Sequence, residues 1–152
     1  MRISLLPTLL LAGLAACSDT SGPTPSDLLY ASNLAKWNST GPDSYQMVQT
    51  RLCECAVPTE VVLVVVRNKT VESRTYVGSG APVPPGRADD FPDIPGLFEL
   101  INRALSGGAS AYSTEYDPTY GYPVTLYIDW VQGTLLDDVS YAVTEFTSLP
   151  QP

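Results

Sequence analysis

Six successive residues, Val61-Val62-Leu63-Val64-Val65-Val66, are apolar, and all but Leu63 are β-branched. Such side chains lose rotamer freedom in a helix and fit a pleated surface. The run lies between Pro58 and the polar turn Arg67-Asn68-Lys69, so it reads as a strand. Because it is apolar at odd and even positions alike, the expectation is a central strand buried on both faces. After the turn, Val71, Ser73, Thr75 and Val77 alternate with Glu72, Arg74 and Tyr76, which predicts a second strand over 70–77. Tyr45, Met47 and Leu52 mark an extended segment before Cys53, and further strands are expected over 111–116, 124–131 and 139–147.

Two stretches carry the helical period instead. Tyr30, Leu34 and Trp37 recur at helical spacing from Asp27, with Ser26 or Asp27 as the cap and Gly41-Pro42 as the stop. Leu97, Phe98, Ile101, Ala104 and Leu105 form a second apolar stripe, opened by Asp93 or Pro95 and closed by Gly107-Gly108. Residues 78–92, rich in Gly and Pro, read as a long loop between two similar halves. The resulting order is helix, three strands, helix, three strands. Short turns between strands imply antiparallel pairing, hence an α+β domain over residues 27–149 with two helices packed on one side of a curved antiparallel sheet.

The first sixteen residues have a different logic. Met1-Arg2 is a short positive start, and the segment to Ala16 is apolar or small apart from Ser4, Pro7 and Thr8, as in an export signal. It ends Leu14-Ala15-Ala16-Cys17, which resembles the box read by bacterial lipoprotein-processing enzymes at all four positions. Leu14 is too large for ordinary A-x-A cleavage before Cys17. The expectation is a signal peptide over 1–16, acylation of Cys17 and a polar tether over 17–26. The nine residues after Cys17 reach roughly 15–18 Å as a flexible coil, which would hold the domain near the extracytoplasmic side of a cell-envelope membrane.

The charge balance narrows the partners. The chain carries a formal net charge of −8 with no histidine, and its eight Lys and Arg are scattered. A nucleic-acid groove needs clustered cations to displace counterions, so nucleic acid is not an expected partner. A polybasic patch for anionic lipid is lacking for the same reason, which leaves the lipid anchor as the membrane contact. Without histidine there is no His-based triad and no HExxH zinc site. Neither G-x-S-x-G nor a P-loop occurs, so no recognised catalytic motif marks an enzyme.

Trp37, the Cys53-Glu54-Cys55 pair, the Leu97-Phe98 helix, and Tyr116-Asp117 leading through Gly121-Tyr122-Pro123 to Asp129 and Asp137-Asp138 together resemble an uncharacterised family of bacterial lipoproteins and secreted proteins, domain of unknown function 6174. In that family an acidic residue often follows the Asp pair, where this chain has Val139. The resemblance covers the whole mature domain and implies export and a compact domain. It supplies no activity, cofactor or catalytic residue.

Three constellations remain as candidates. Cys53 and Cys55 can form a local disulfide in an oxidising compartment, serve as a redox pair, capture metal, or stay as thiols; residues two apart in a strand sit at the upper edge of disulfide reach. Asp117, Asp129, Asp137 and Asp138, with Asp89, Asp90 and Asp93, can supply oxygen ligands to calcium if their loops converge, although turn and cap roles also explain Asp117 and Asp93. Tyr120 and Tyr122 fall in a hairpin connection, where exposed rings would suit an envelope protein or a glycan. The other aromatic residues of the second half read as sheet packing. The role these features point to is a membrane-tethered, non-catalytic binding or envelope-associated module, with a small redox or metal-binding factor as the alternative.

Overall fold

The computed structural model describes residues 22–53, 59–134 and 137–150. The signal segment, Cys17, Cys55 and the tether up to residue 21 lie outside the described residues. The chain opens with helix α1 (Pro25–Thr40), followed by strands β1 (Tyr45–Cys53), β2 (Glu60–Arg67) and β3 (Thr70–Tyr76). A 3-10 helix (Pro85–Asp90) leads into α2 (Ile94–Arg103), a π turn (Ala104–Gly108), and strands β4 (Ala111–Tyr116), β5 (Pro123–Asp129) and β6 (Val139–Ser148). No helix among the described residues is long and apolar enough to cross a membrane.

All six strands belong to one antiparallel sheet in the order β3-β2-β1-β6-β5-β4. This corrects the expected architecture of two helices with strands in threes. The strands do not divide into sets, because β1 and β6 pair along their length at the middle of the sheet. Nor are there only two helical segments. The stretch read as a long loop contains the 3-10 helix, whose six residues are too few to show an apolar period. The second helix runs past Arg103 into a π turn, within which Gly107 leaves helical geometry at φ +83°.

The Val run is corrected too. It forms β2, one strand in from the edge, and is buried at alternate positions only: Val62, Val64 and Val66 are inside, while Leu63 and Val65 are half-buried and Val61 is exposed. A strand is closed on both faces only where elements cover both. Here the core lies on one side of the sheet, where Phe91, Ile94, Leu97, Phe98 and Ile101 meet Met47, Val62, Val64, Leu126 and Ile128. Each such side chain contributes about 1.5–3 kcal/mol on leaving water.

Local chemistry sets the element ends. α1 is capped by Thr24 rather than Ser26 or Asp27. The Asp27 amide donates to Thr24 Oγ1 at 3.2 Å, and the Thr24 amide donates to Asp27 Oδ2 at 2.7 Å, a reciprocal capping box ahead of Pro25. This bonding holds the Asp27 carboxyl below its usual range. At the other end the Gly41 amide donates to Trp37 O at 2.7 Å, and a Cβ at Gly41 would lie 2.6 Å from that same oxygen. For α2, Asp93 accepts from the Gly96 amide at 3.0 Å, which is the cap expected there.

An aromatic cluster joins α1 to the sheet. Trp37 meets the rings of Tyr45 and Tyr122 edge-on at 5.5 and 6.2 Å, and Phe146 stacks on Tyr45 and Tyr122 at 5.3 and 4.5 Å. Tyr45 also accepts a hydrogen bond from the Ile94 amide at 3.1 Å, tying β1 to the start of α2. Burial pushes the Tyr45 phenol far above its ordinary value. Each aromatic pair adds about 0.5–1.5 kcal/mol beyond the area it buries.

Candidate functional site: three converging aspartates

Strand β5 ends at Asp129 and β6 begins just after Asp138, so the connection between them returns Asp137 and Asp138 to the end of β5. Carboxylate oxygens of Asp129, Asp137 and Asp138 all lie within 4.8 Å of one another. Asp129 Oδ1, both oxygens of Asp137 and Asp138 Oδ1 are shielded from solvent and have no hydrogen-bond partner. Asp138 Oδ2 is held differently: the Tyr127 hydroxyl donates to it at 2.9 Å. The result is three half-buried carboxylates brought close together, with four of their six oxygens unpartnered.

The electrostatics follow from that placement. Desolvation, then the charges of Asp138 and Asp137, raise the Asp129 carboxyl above its ordinary value, against a lowering contribution from the Val131 amide. A cavity of about 350 Å³ beside the cluster is lined by Asp137, Asp138, Arg51, Arg103, Trp130 and Tyr141, among others. Its two arginines are engaged elsewhere. Arg51 approaches Asp90 at 3.7 Å, and the Arg103 guanidinium lies 5.3 Å over the Trp130 ring. No ion pair within 4 Å joins either one to the three aspartates among the described residues.

Three carboxylates are a hard-oxygen donor set. Oxygens bound to one calcium ion at about 2.3–2.6 Å are at most about 5 Å apart, so the cluster has the spread that ion requires. It supplies three to six of the six to eight ligands calcium takes, with backbone carbonyls and water as the usual remainder. Zinc is a poorer match, since structural zinc sites draw on thiolate and imidazole nitrogen.

The other expected ligands are elsewhere. Asp117 does not join the cluster; its Oδ1 accepts from the Thr119 and Tyr120 amides at 3.0 and 2.6 Å, which makes it a turn residue. Asp93 caps α2. Asp90 Oδ2 accepts from Arg87 at 2.8–2.9 Å, within a network in which Arg87 also donates to Glu60 at 2.6 and 2.8 Å and to Tyr76 Oη at 3.2 Å. Asp89 lines the cavity with Arg103. The network assembles side chains from β2, β3 and the 3-10 helix, and no sequence spacing announces it.

The hairpin tyrosines are corrected as well. Tyr122 is only 8% exposed and belongs to the core, and Tyr120 is half-buried at 5.6 Å from the Phe146 ring. The turn carrying them is pressed onto α1: Gly121 has φ +80°, and its position lies so close that a Cβ there would be 2.7 Å from Asn33 O. Their rings pack against Phe146. Cys53 is engaged in a disulfide, and Cys55 lies outside the described residues.

A one-sheet α+β domain with an all-oxygen carboxylate cluster at one end of the sheet is thus the class that fold and site define. The chain belongs to a family of unknown function, DUF6174, which it matches over residues 29–148. No curated protein and no solved structure matches the chain.

Proposed function

We propose that the protein is an exported, lipid-anchored and non-catalytic binding module whose aspartate cluster takes up calcium. One observation carries the cation reading: three carboxylates within 4.8 Å of each other, with four of their oxygens shielded and unpartnered. Like charges brought together out of water oppose folding unless a counter-charge arrives, and a hard divalent cation is the counter-charge this donor set favours. Bound calcium would fix the β5–β6 connection, so an envelope protein or glycan recognised by that end of the domain would be bound in a calcium-dependent way. The anchor reading rests on the Leu14-Ala15-Ala16-Cys17 box and the polar residues after it.

Thermal unfolding of the full chain in chelator and in millimolar calcium tests the cation. At calcium a hundredfold above Kd the folded state gains about 2.7 kcal/mol, roughly a 10 °C rise in Tm for a domain of this size. Asp129→Asn and Asp138→Asn are expected to abolish the rise, and an unchanged wild-type Tm refutes it. The anchor has its own readout, the intact mass of the membrane-extracted protein. Cleavage before Cys17 with added acyl chains is expected, and an uncleaved chain without fatty acid overturns it.

A further inference from the structure

Helix α1 packs Tyr30, Asn33, Leu34 and Trp37 toward the core and leaves Leu28, Leu29, Ala31, Ser32 and Ala35 exposed. Leu28, at 58%, is the most exposed large apolar side chain among the described residues, and Leu29 beside it stands at 52%. At about 3.6 residues per turn, Leu28, Ser32 and Ala35 run along the side opposite the core, with Leu29 on one flank and Ala31 on the other. This side has no free charge. The one acid of α1, Asp27, accepts from the Thr24 amide and hydroxyl at 2.7 and 2.8 Å, and its one base, Lys36, donates to Pro118 O at 3.0 Å. Glu99 of α2 shares a groove with Tyr30 and Leu34, on the core-facing side of α1, and Asp117 near Lys36 is bound within its own turn. The helix is thus formally neutral in a chain of net charge −8.

We infer that this side of α1 rests on the bilayer that holds Cys17, giving the domain a lipid contact of its own beside the acyl anchor. The inference rests on the anchor reading and goes beyond it, because an anchor alone leaves the domain free to turn. Covalent distance selects the occupant. Six residues separate Cys17 from Thr24. Even a fully extended chain therefore keeps the cap of α1 within about 25 Å of the acylated residue, and Leu28 within about 30 Å. The other exposed large apolar residues lie on strands or just past their ends, with all of α1 between them and Cys17 in the chain. A connection this short sets an effective concentration of millimolar order, so the contact succeeds with two leucines where a partner from dilute solution would need a larger patch. Neutrality agrees with a lipid occupant, since an anionic bilayer repels an acidic surface and accepts the apolar side of a helix at its headgroup boundary. Because α1 lies on the core side of the sheet, docking turns the uncovered sheet face away from the bilayer.

Tryptophan emission from the acylated chain in vesicles tests this. Leu28→Trp puts a reporter on the docking side, and the protein is reconstituted through its anchor into phosphatidylcholine brominated on the acyl chains, with Trp37 and Trp130 of the wild type as background. Emission of Leu28→Trp is expected to fall at least about twofold against unbrominated vesicles, and Leu28→Trp/Leu29→Glu to recover most of that loss. Ser113→Trp, an exposed position paired with Tyr127 on the uncovered sheet face, is expected to behave like wild type. These positions are exposed, so circular dichroism of each variant is expected to match wild type. Absence of quenching at Leu28→Trp, in protein whose intact mass and vesicle recovery show the acyl anchor, refutes docking and leaves the anchor standing. Quenching indifferent to Leu29→Glu refutes it too. A chain without acyl groups overturns anchor and inference together. Emission shielded from aqueous acrylamide but untouched by the brominated lipid assigns this side of α1 to a second copy of the chain and refutes the lipid occupant.

Discussion

Strand β6 contains a non-glycine residue, Glu145, at φ +50°, and its replacement gives a sharp test of how the chain builds its aromatic cluster. Val139, Tyr141 and Val143 point into the core at alternate positions. Continued alternation would bring Glu145 inside and turn Phe146 out. Instead the register with β1 shifts between Gln46↔Thr147 and Val48↔Thr144, so that Glu145 and Phe146 together oppose Met47. This β-bulge re-phases the strand and sends Phe146 into the rings of Tyr45, Tyr122, Trp37 and Tyr120. The left-handed conformation costs a residue with a Cβ about 1–2 kcal/mol, whereas glycine avoids that and loses about 0.5–1 kcal/mol of unfolded-chain entropy. Glu145→Gly is therefore expected to stabilise by about 0.5–1 kcal/mol. Glu145→Val, β-branched at a positive φ, is expected to destabilise by about 1–2 kcal/mol. Both remove the same exposed carboxylate, so the spread of about 1.5–3 kcal/mol isolates the backbone. Urea unfolding at constant m measures it. In a regular strand the order reverses, since valine exceeds glycine in strand preference by up to about 1 kcal/mol. Finding the Glu145→Val variant more stable than the Glu145→Gly variant would refute the bulge and the inward turn of Phe146.

Gly121→Ala is expected to destabilise by about 2–4 kcal/mol, because the new Cβ meets Asn33 O at 2.7 Å, while Gly80→Ala, at φ +70° with nothing within 4 Å, is expected to cost about 1 kcal/mol; equal losses in urea unfolding would remove the close approach of turn and helix. The Arg87 hydrogen bonds hold the Glu60 carboxyl below its ordinary value of 4.5, so their stabilisation is present above that pH and is lost as pH falls through the lowered folded value. Glu60→Gln is accordingly expected to cost about 1–2 kcal/mol at pH 7 and to flatten the acid limb of the stability profile; a profile unchanged in acid counts against the network. Asp129 has the opposite sign: its raised carboxyl favours the folded chain below pH 3.8 and loses that contribution as pH rises through the folded value, so calcium-free Asp129→Asn is expected to unfold at higher temperature than wild type near neutrality, and a lower Tm argues against repulsion in the cluster.

Local pattern was sufficient for segments whose signal is contained within a few residues. The β-branched run of 61–66, the stripe Leu97-Phe98-Ile101, the Asp93 cap and the Asp117 turn are all read from side-chain chemistry at short range, where rotamer restriction, helical period and Asx bonding act. The convergence of Asp129 with the Asp137-Asp138 pair was legible only as a proximity condition, and Asp117 was grouped with them although its oxygen is used by its own turn. Pairing β1 with β6, leaving one face of β2 open, re-aiming Phe146 through a bulge and burying Tyr122 were decided by tertiary structure. A strand's sequence states which side chains it offers to each face, but which face gets covered depends on elements up to a hundred residues away. The 3-10 helix and the Arg87 network escaped for the same reason, since a six-residue helix and an ion cluster drawn from three elements leave no period in the chain.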